Sequence, residues 1–335
     1  MNRAWWLARR LAFSLFALWV VVSVTFALVA FTGDPGEASV EFGVAAELAE
    51  SGASAEEIER EADLAVQAYR EARNLDQPVH ERYVNWLASV ARLDLGTSYS
   101  HPTPVTTLIG ERLTITLGYV LPGMAIALVG GVAVGTYSAI GTNPVLSRVA
   151  TGFTYTVFGV PNFWIAAVAI MVGMYQFGWL FLIGYDLEQR VLSTHNLKRL
   201  VLPAVLLGTG LIAEQARYVR SAVLSREGEL FVTQVKAKGM GPLHVVRHLL
   251  RISLVPLVSL FFANLLGVLV VNVFVIEFVF ELPGFGTLCY NAIMNRNLPV
   301  IIGMTLFVAG VGIVGNFLQD VAYMVFDPRI ELDGS

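Results

Sequence analysis

Between Arg226 and Arg251 a polar run interrupts a chain otherwise built of apolar stretches: Glu229-Leu230-Phe231-Val232-Thr233-Gln234-Val235-Lys236-Ala237-Lys238-Gly239-Met240-Gly241-Pro242. Nothing from Glu229 to Lys238 breaks a helix, whereas Gly239 and the Gly241-Pro242 pair end one. Phe231, Val232 and Val235 then form an apolar ridge at i, i+1 and i+4, with Lys236 and Lys238 on its rim. That is the format of a helix seated in a groove on a partner. The same pattern suits an amphipathic helix resting on anionic headgroups. Either way the chemistry is docking, not bond-making.

Residues that make or break bonds are scattered. The five histidines (His80, His101, His195, His244 and His248) include one pair a turn apart, His244 and His248, without a third ligand to complete a metal site. Cys289 is the only cysteine, which excludes an intrachain disulfide and a thiolate cluster. No Gly-x-x-x-x-Gly-Lys-Ser/Thr loop is present, so the sequence offers no phosphate-binding loop of that kind. Nucleophile and base do not cluster, and no nucleic-acid signature occurs. The sequence therefore points to a protein with no catalytic residue, metal or cofactor of its own.

The remaining candidates are polar groups inside or beside apolar runs. Glu214 and Arg217 are spaced to pair on one helix face. Asn264 and Asn272 lie within one apolar run, facing a pore or another helix. Glu277 and Glu281 follow that run, one turn apart, where they could meet the amino end of a peptide, sit at a gate, or simply be solvated.

The elements that position these groups are membrane spans. The chain is 56% hydrophobic and 14% charged, against about 25% charged for an ordinary soluble domain. Asp, Glu, Lys and Arg are absent from Leu11 to Thr32, Leu113 to Ser147, Val149 to Tyr185, Ile252 to Ile276 and Asn297 to Gln319. Each run exceeds the ~20 residues that cross a bilayer. A sixth span, Leu200 to Leu224, carries Glu214, Arg217 and Arg220 in its second half. The expectation is an all-α polytopic membrane protein with six transmembrane helices. The first run is longer than a signal-peptide core and lacks a small-x-small site, so it reads as an uncleaved span.

Basic residues set the orientation. With the N-terminus cytoplasmic, the inner face collects Arg3, Arg9, Arg10, Arg148, Arg217, Arg220, Arg226, Lys236, Lys238, Arg247, Arg251 and Arg329. The short outer loops keep only Arg190, Lys198, Arg199 and Arg296. Both termini are then cytoplasmic in the plasma membrane. The chain divides into residues 1–32 (tail and first span), 33–111 (an extracytoplasmic acidic helical segment) and 112–335 (a five-helix core with the cytoplasmic loop 225–251). In the external segment, Ser54 and Glu57 fit a capping box that starts a surface helix from Ala55 to Arg73. Ile58, Leu64 or Ala65, and Tyr69 share one side of it. Tyr83, Trp86, Leu87 and Val90 have helical spacing and a buried face. The segment reads as a cap over the outer mouth, or as the place where a delivery protein docks.

Several short motifs, in order along the chain, carry a resemblance. They are Arg9-Arg10-Leu11 and Gly33-Asp34-Pro35 around the first span, then Leu75-Asp76-Gln77-Pro78 with Tyr83 and Trp86. Asp94-Leu95-Gly96-Thr97-Ser98 and Val160-Pro161-Asn162-Phe163-Trp164 follow. Next come Val235 to Met240 with Arg247-His248 and Leu254-Val255-Pro256, then Pro283-Gly284-Phe285-Gly286 with Arg296 and Pro299, and Asp327-Pro328-Arg329. Together they resemble the binding-protein-dependent ABC import permeases, in the dipeptide/oligopeptide subfamily, as the first of its two unlike permease subunits. Departures occur where the family's Glu-Ala-Ala is replaced by Thr233, Gln234 and Val235, at Leu230, and at Asn297 where Asp is common.

The resemblance implies a type I importer permease. It would form a heterodimer with a second permease, two cytoplasmic ATPases that bind ATP and Mg, and an extracytoplasmic substrate-binding protein. It further implies that Glu229, Phe231, Val232, Val235, Lys236, Ala237, Lys238, Gly239 and Met240 sit in an ATPase cleft, with Phe231 as anchor. Asn264, Asn272, Glu277 and Glu281 are the candidates for the pathway. The substrate would be a di- or oligopeptide, although related permeases also serve sugars and nickel complexes. A self-sufficient channel or ion-coupled carrier is the rival reading; it should show inverted repeats or several buried carboxylates.

Overall fold

Proline, capping side chains and small residues decide where the helices begin, break and meet. The computed structural model describes residues 3–32, 35–72, 74–100, 102–141, 143–178, 184–191, 193–225, 261, 267–268 and 272–326. Their regular structure is helical: α1 Arg3–Thr32, α2 Pro35–Ser51, α3 Ala55–Ala72, α4 Val79–Ala91, α5 Val105–Ile140, α6 Pro144–Gly159, α7 Asn162–Phe177, α8 Thr194–Leu224, α9 Val273–Phe280, α10 Phe285–Met294 and α11 Leu298–Phe326. Among the described residues, the helical stretches carrying α1, α5, α8 and α11 are long and apolar enough to cross a bilayer. A further pair, α9 and α10, qualifies only as one span bent by 91°.

Two expected spans take a different form. The run from Val149 to Tyr185 is not one helix but α6 and α7, each of 16 residues. Pro161 has no N–H to continue the ladder, and it forces Val160 into extended backbone (φ −103°, ψ 127°). Sixteen residues rise about 24 Å, short of the ~30 Å hydrocarbon core. The run from Ile252 to Ile276 lies partly outside the described residues, and its visible end, α9, turns sharply into α10.

The chain forms two compact units. The first comprises residues 1–14, 109–290 and 310–335. Its core joins Tyr119, Val120 and Met124 of α5, Leu200, Leu207 and Leu211 of α8, and Ile276 and Phe280 of α9. Helices α5 and α8 touch along a seam of small residues. A Cβ on Gly123 would stand 2.9 Å from the Ala204 carbonyl, one on Gly131 would collide with Gln215, and one on Gly135 would press on the Ala216 carbonyl. Gly123, Ala127, Gly131 and Gly135 recur every fourth residue, the small-xxx-small pattern that lets membrane helices approach backbone to backbone. Asn143 caps α6 by accepting from Val145 N and Leu146 N, with Pro144 in the first turn.

The second unit comprises residues 15–108 and 291–309. Helices α2 and α3 form a hairpin about Gly52, whose φ of 79° suits the turn. It is tied at the far end by Arg70 and Glu37 at 2.7 Å. The expected capping box is present: Ser54 N donates to Glu57 Oε2 (3.1 Å), and Glu57 N donates to Ser54 Oγ (3.3 Å). The inward face of α3 centres on Ala62, with Ile58, Ala65 and Tyr69 half-buried, while Leu64 is exposed. Helix α4 lies against α1: Tyr83 and Ser23 hydroxyls are 2.7 Å apart, and Phe26 meets the rings of Tyr83 and Trp86.

Candidate functional site

Residues 226–260 and 262–266 lie outside the described residues, so the polar run Glu229 to Met240 and Asn264 fall there. The other three pathway candidates cluster at α9, where the structure separates them. Asn272 precedes α9 in helical backbone and is half-buried. Glu281 ends α9 in left-handed backbone (φ 52°) with its side chain exposed. Glu277, one turn earlier, has 0% exposure. A merely solvated position fails for Glu277 and stays open for Glu281.

A carboxylate withdrawn from water must be hydrogen-bonded or it is prohibitively costly. Glu277 meets that demand with donors from two helices. Thr116 Oγ1 donates to Oε1 at 2.6 Å and Tyr119 OH at 3.3 Å, both from α5. Thr287 N donates to Oε2 at 2.9 Å from the first turn of α10. Thr116 Oγ1 in turn accepts from Phe285 N at 2.8 Å. The N-terminus of α10 thus finds an acceptor in the Glu277 carboxyl of the preceding helix, placed where the helix dipole favours one.

The turn Leu282 to Gly286 is built around this group. Gly284 packs so closely that a Cβ there would strike the Glu277 carboxylate, and one on Gly286 would reach 2.9 Å from Phe274 N. Arg112 Nη1 donates to the Pro283 carbonyl at 3.0 Å, Leu282 N donates to Glu277 O at 2.9 Å, and Thr287 Oγ1 donates to Leu282 O at 2.8 Å. These bonds hold the bend between α9 and α10 to α5. The site can keep a fixed corner; it has no open face on which a reaction could proceed.

Two further polar groups organise loops. Asn196, fully buried at the start of α8, donates from Nδ2 to the carbonyls of Asp186 (2.9 Å) and Arg190 (3.1 Å), and accepts on Oδ1 from Asp186 N (3.2 Å). In the second unit Asn297 Nδ2 donates to Ser98 Oγ (2.7 Å) and Ser100 Oγ (3.1 Å), and its Oδ1 accepts from Tyr99 N (3.2 Å). The amide both gives and accepts there, which gives Asn at this position a structural use. Among the described residues no group of three His, Cys, Asp or Glu could hold a metal ion.

Thr116, Tyr119, Thr287 and Asn196 were not among the residues singled out from sequence. One signal pointed to the first two: polar residues three apart in a charge-free span need partners, and a glutamate near another span supplies one.

The profile of the binding-protein-dependent transport system inner membrane component family matches residues 131–332. The oligopeptide transport system permease protein AppB of Bacillus subtilis is 33% identical over 267 residues, covering 78% of this chain and 83% of that protein. A Brucella suis protein named as a peptide permease is 33% identical over 327 residues, 96% of this chain and 98% of its own. The oligopeptide transport system permease protein OppB of Mycobacterium bovis is 29% identical over 272 residues, 77% and 82% of the two chains. With a family profile over most of its length, and relatives that match it nearly end to end, this multi-pass chain belongs to the binding-protein-dependent transport system inner membrane components, the membrane permeases of ABC importers.

Proposed function

We propose that the chain is one of two unlike permease subunits of an ATP-driven importer of di- and oligopeptides. The observation that carries this reading is the 33% identity over 96% of the chain to a protein named as a peptide permease. In the proposed assembly six spans place both termini in the cytoplasm, and a binding protein delivers peptide to the outer face. The segment Glu229 to Met240 docks in a cytoplasmic ATPase, one of two. Phe231, Val232 and Val235 fill its cleft, Lys236 and Lys238 face its carboxylates, and Gly239 lets the backbones approach.

Closure of the ATPases on ATP moves that segment and shifts the permease between two states, a population change driven by a partner's ligand. Asn264, Asn272 and Glu281 are the pathway residues of this scheme. Glu277, first a pathway candidate, is instead a positioning residue that keeps the α9–α10 corner intact while the spans move.

Reconstituted assembly should take up labelled oligopeptide only with ATP, the binding protein and both ATPases present. Uptake by this chain alone, or of a sugar in place of peptide, would overturn the reading. Orientation has its own test. A cysteine at Arg60→Cys should react with an impermeant thiol reagent added outside intact cells, and one at Lys236→Cys should not.

A further inference from the structure

Helix α4 lies beside the C-terminal half of α1. Its Tyr83 hydroxyl meets Ser23, nine residues before the charge-free run of the first span ends at Thr32. Cavities beside α4 reach α1 at Val29 and Ala30, two to three residues before that end and so about 3–5 Å below it at 1.5 Å per residue. Tyr83 and Trp86 pack on Phe26 in the manner of an interfacial aromatic belt. Val84 and Leu93, at 63% and 73% exposure, leave apolar surface uncovered on and just after α4. An amphipathic helix with such features lies at the boundary of headgroups and acyl chains.

Beside it are two adjoining cavities of roughly 280 and 310 Å³ that share Val29, Ala30, Leu75, Arg82 and Ile302. Phe26 and Trp86 wall the first, and Leu298 and Pro299 the second. Two guanidiniums reach this space. Arg70 is neutralised by Glu37 at 2.7 Å. The Arg82 guanidinium makes no hydrogen bond or ion pair among the described residues. One positive charge without an ion-pair partner among the described residues therefore stands beside an apolar floor of Val29, Ala30 and Ile302, close to the end of the first charge-free run. Asn74, Gln77, Asn85 and Ser89 lie on the polar side of the cavity. We propose that this cavity binds a phospholipid of the surrounding leaflet, its phosphate held by Arg82 and an acyl chain laid against Phe26, Val29 and Ile302. A guanidinium forks onto two phosphate oxygens, and the apolar floor accounts for the part of the ligand that a free anion lacks.

The test uses the complete transporter in vesicles of phosphatidylcholine and phosphatidylglycerol, the latter with a photoreactive group on one acyl chain. Label should concentrate on the peptides carrying α4 and residues 298–302. Arg82→Gln should lower it about fivefold, the worth of one basic residue at a membrane surface, while Arg82→Lys retains most of it. Val29→Trp fills the cavity with Arg82 in place and should also lower labelling, which keeps the test decisive if Arg82→Gln assembles poorly. Excess inorganic phosphate or oligopeptide should leave the label unchanged. Labelling indifferent to both variants, or spread evenly over α1, α5 and α11, overturns the proposal. Displacement by phosphate assigns the cavity to the free anion, and displacement by peptide assigns it to substrate; either result also overturns it.

Discussion

At the scale of single residues, the buried carboxylate of Glu277 decides the most. Thr116 Oγ1 can fall back on the Arg112 carbonyl at 3.2 Å. Replacing Glu277 still takes from Tyr119 OH and Thr287 N the acceptor they use, at a cost of about 1–3 kcal/mol for each buried donor left unsatisfied. Glu277→Gln keeps the shape and can still accept from Thr116, but its amide then faces Thr287 N donor to donor. It should lose roughly 1–3 kcal/mol. Glu277→Ala should lose about 3–5 kcal/mol, the range for breaking a buried charged network. Thermal unfolding of the purified assembly in detergent would rank the variants; equal midpoints for wild type and Glu277→Ala would remove the carboxylate from its structural role. Gly284 offers an independent check. A methyl there strikes the carboxylate, so Gly284→Ala should destabilise by about 1–3 kcal/mol through overpacking. In a Glu277→Ala background the same methyl has room. The two costs should therefore fall short of additivity, and a strictly additive pair would mean that the glycine and the glutamate do not meet.

At the scale of elements, helix seams and helix starts make separate predictions. Gly131 lets α5 approach Gln215 of α8 so closely that a Cβ would collide. Gly131→Ala should therefore destabilise by about 1–3 kcal/mol. Gly152 of α6 has nothing within reach of a Cβ, so Gly152→Ala should be neutral or gain up to ~1 kcal/mol from helix propensity. Equal effects in the two would remove the seam as a cause. The start of α3 answers to pH. Ser54, first through its backbone N–H and then through its hydroxyl, holds the Glu57 carboxyl below the ordinary carboxylate range. A group whose folded pKa is depressed contributes stability that is present above its unfolded pKa and lost as pH falls through the folded one. The protection of amides 55–58 against exchange, taken relative to their intrinsic rates, should fall on acidification below the ordinary carboxylate pKa of about 4.3. In Glu57→Gln that dependence should vanish. Much of this architecture was legible in the sequence, because charge-free runs and the Ser54–Glu57 spacing are local signals. The break at Val160-Pro161 was missed, although Pro161 stands in the middle of the expected span and lacks the N–H that would continue it. What the run lengths concealed were pairings across the chain. Glu277 and Thr116 are 161 residues apart, and nothing local distinguishes a glutamate buried against another span from Glu281, four residues on and exposed. The α5 glycines carried a readable period of four, but their partner helix did not.

At the scale of the whole molecule, the described polar networks are structural, and the mechanical input has to come from elsewhere. Glu277, Asn196 and Asn297 each tie a turn or loop to a helix, and none of the three presents an open polar face. A permease built on such fixed corners changes state by moving helices as bodies, which requires a handle outside the bilayer. The proposed handle is the segment from Glu229 to Met240, and in that proposal its most sensitive point is Gly239, since a side chain there would hold the proposed ATPase partner's backbone away. Asp adds a negative charge at the C-terminal end of the proposed helix, where the dipole already disfavours it. Gly239→Asp should therefore reduce ATP-driven peptide uptake to background while leaving the chain's abundance in the membrane and the thermal midpoint of the assembly unchanged. That pattern is the reverse of the one expected at Glu277, where stability falls first. Measuring uptake and unfolding on both variants separates a lever from a corner. Full uptake by Gly239→Asp would take the lever away, and a lowered midpoint in that variant would make the segment part of the fold instead of its drive.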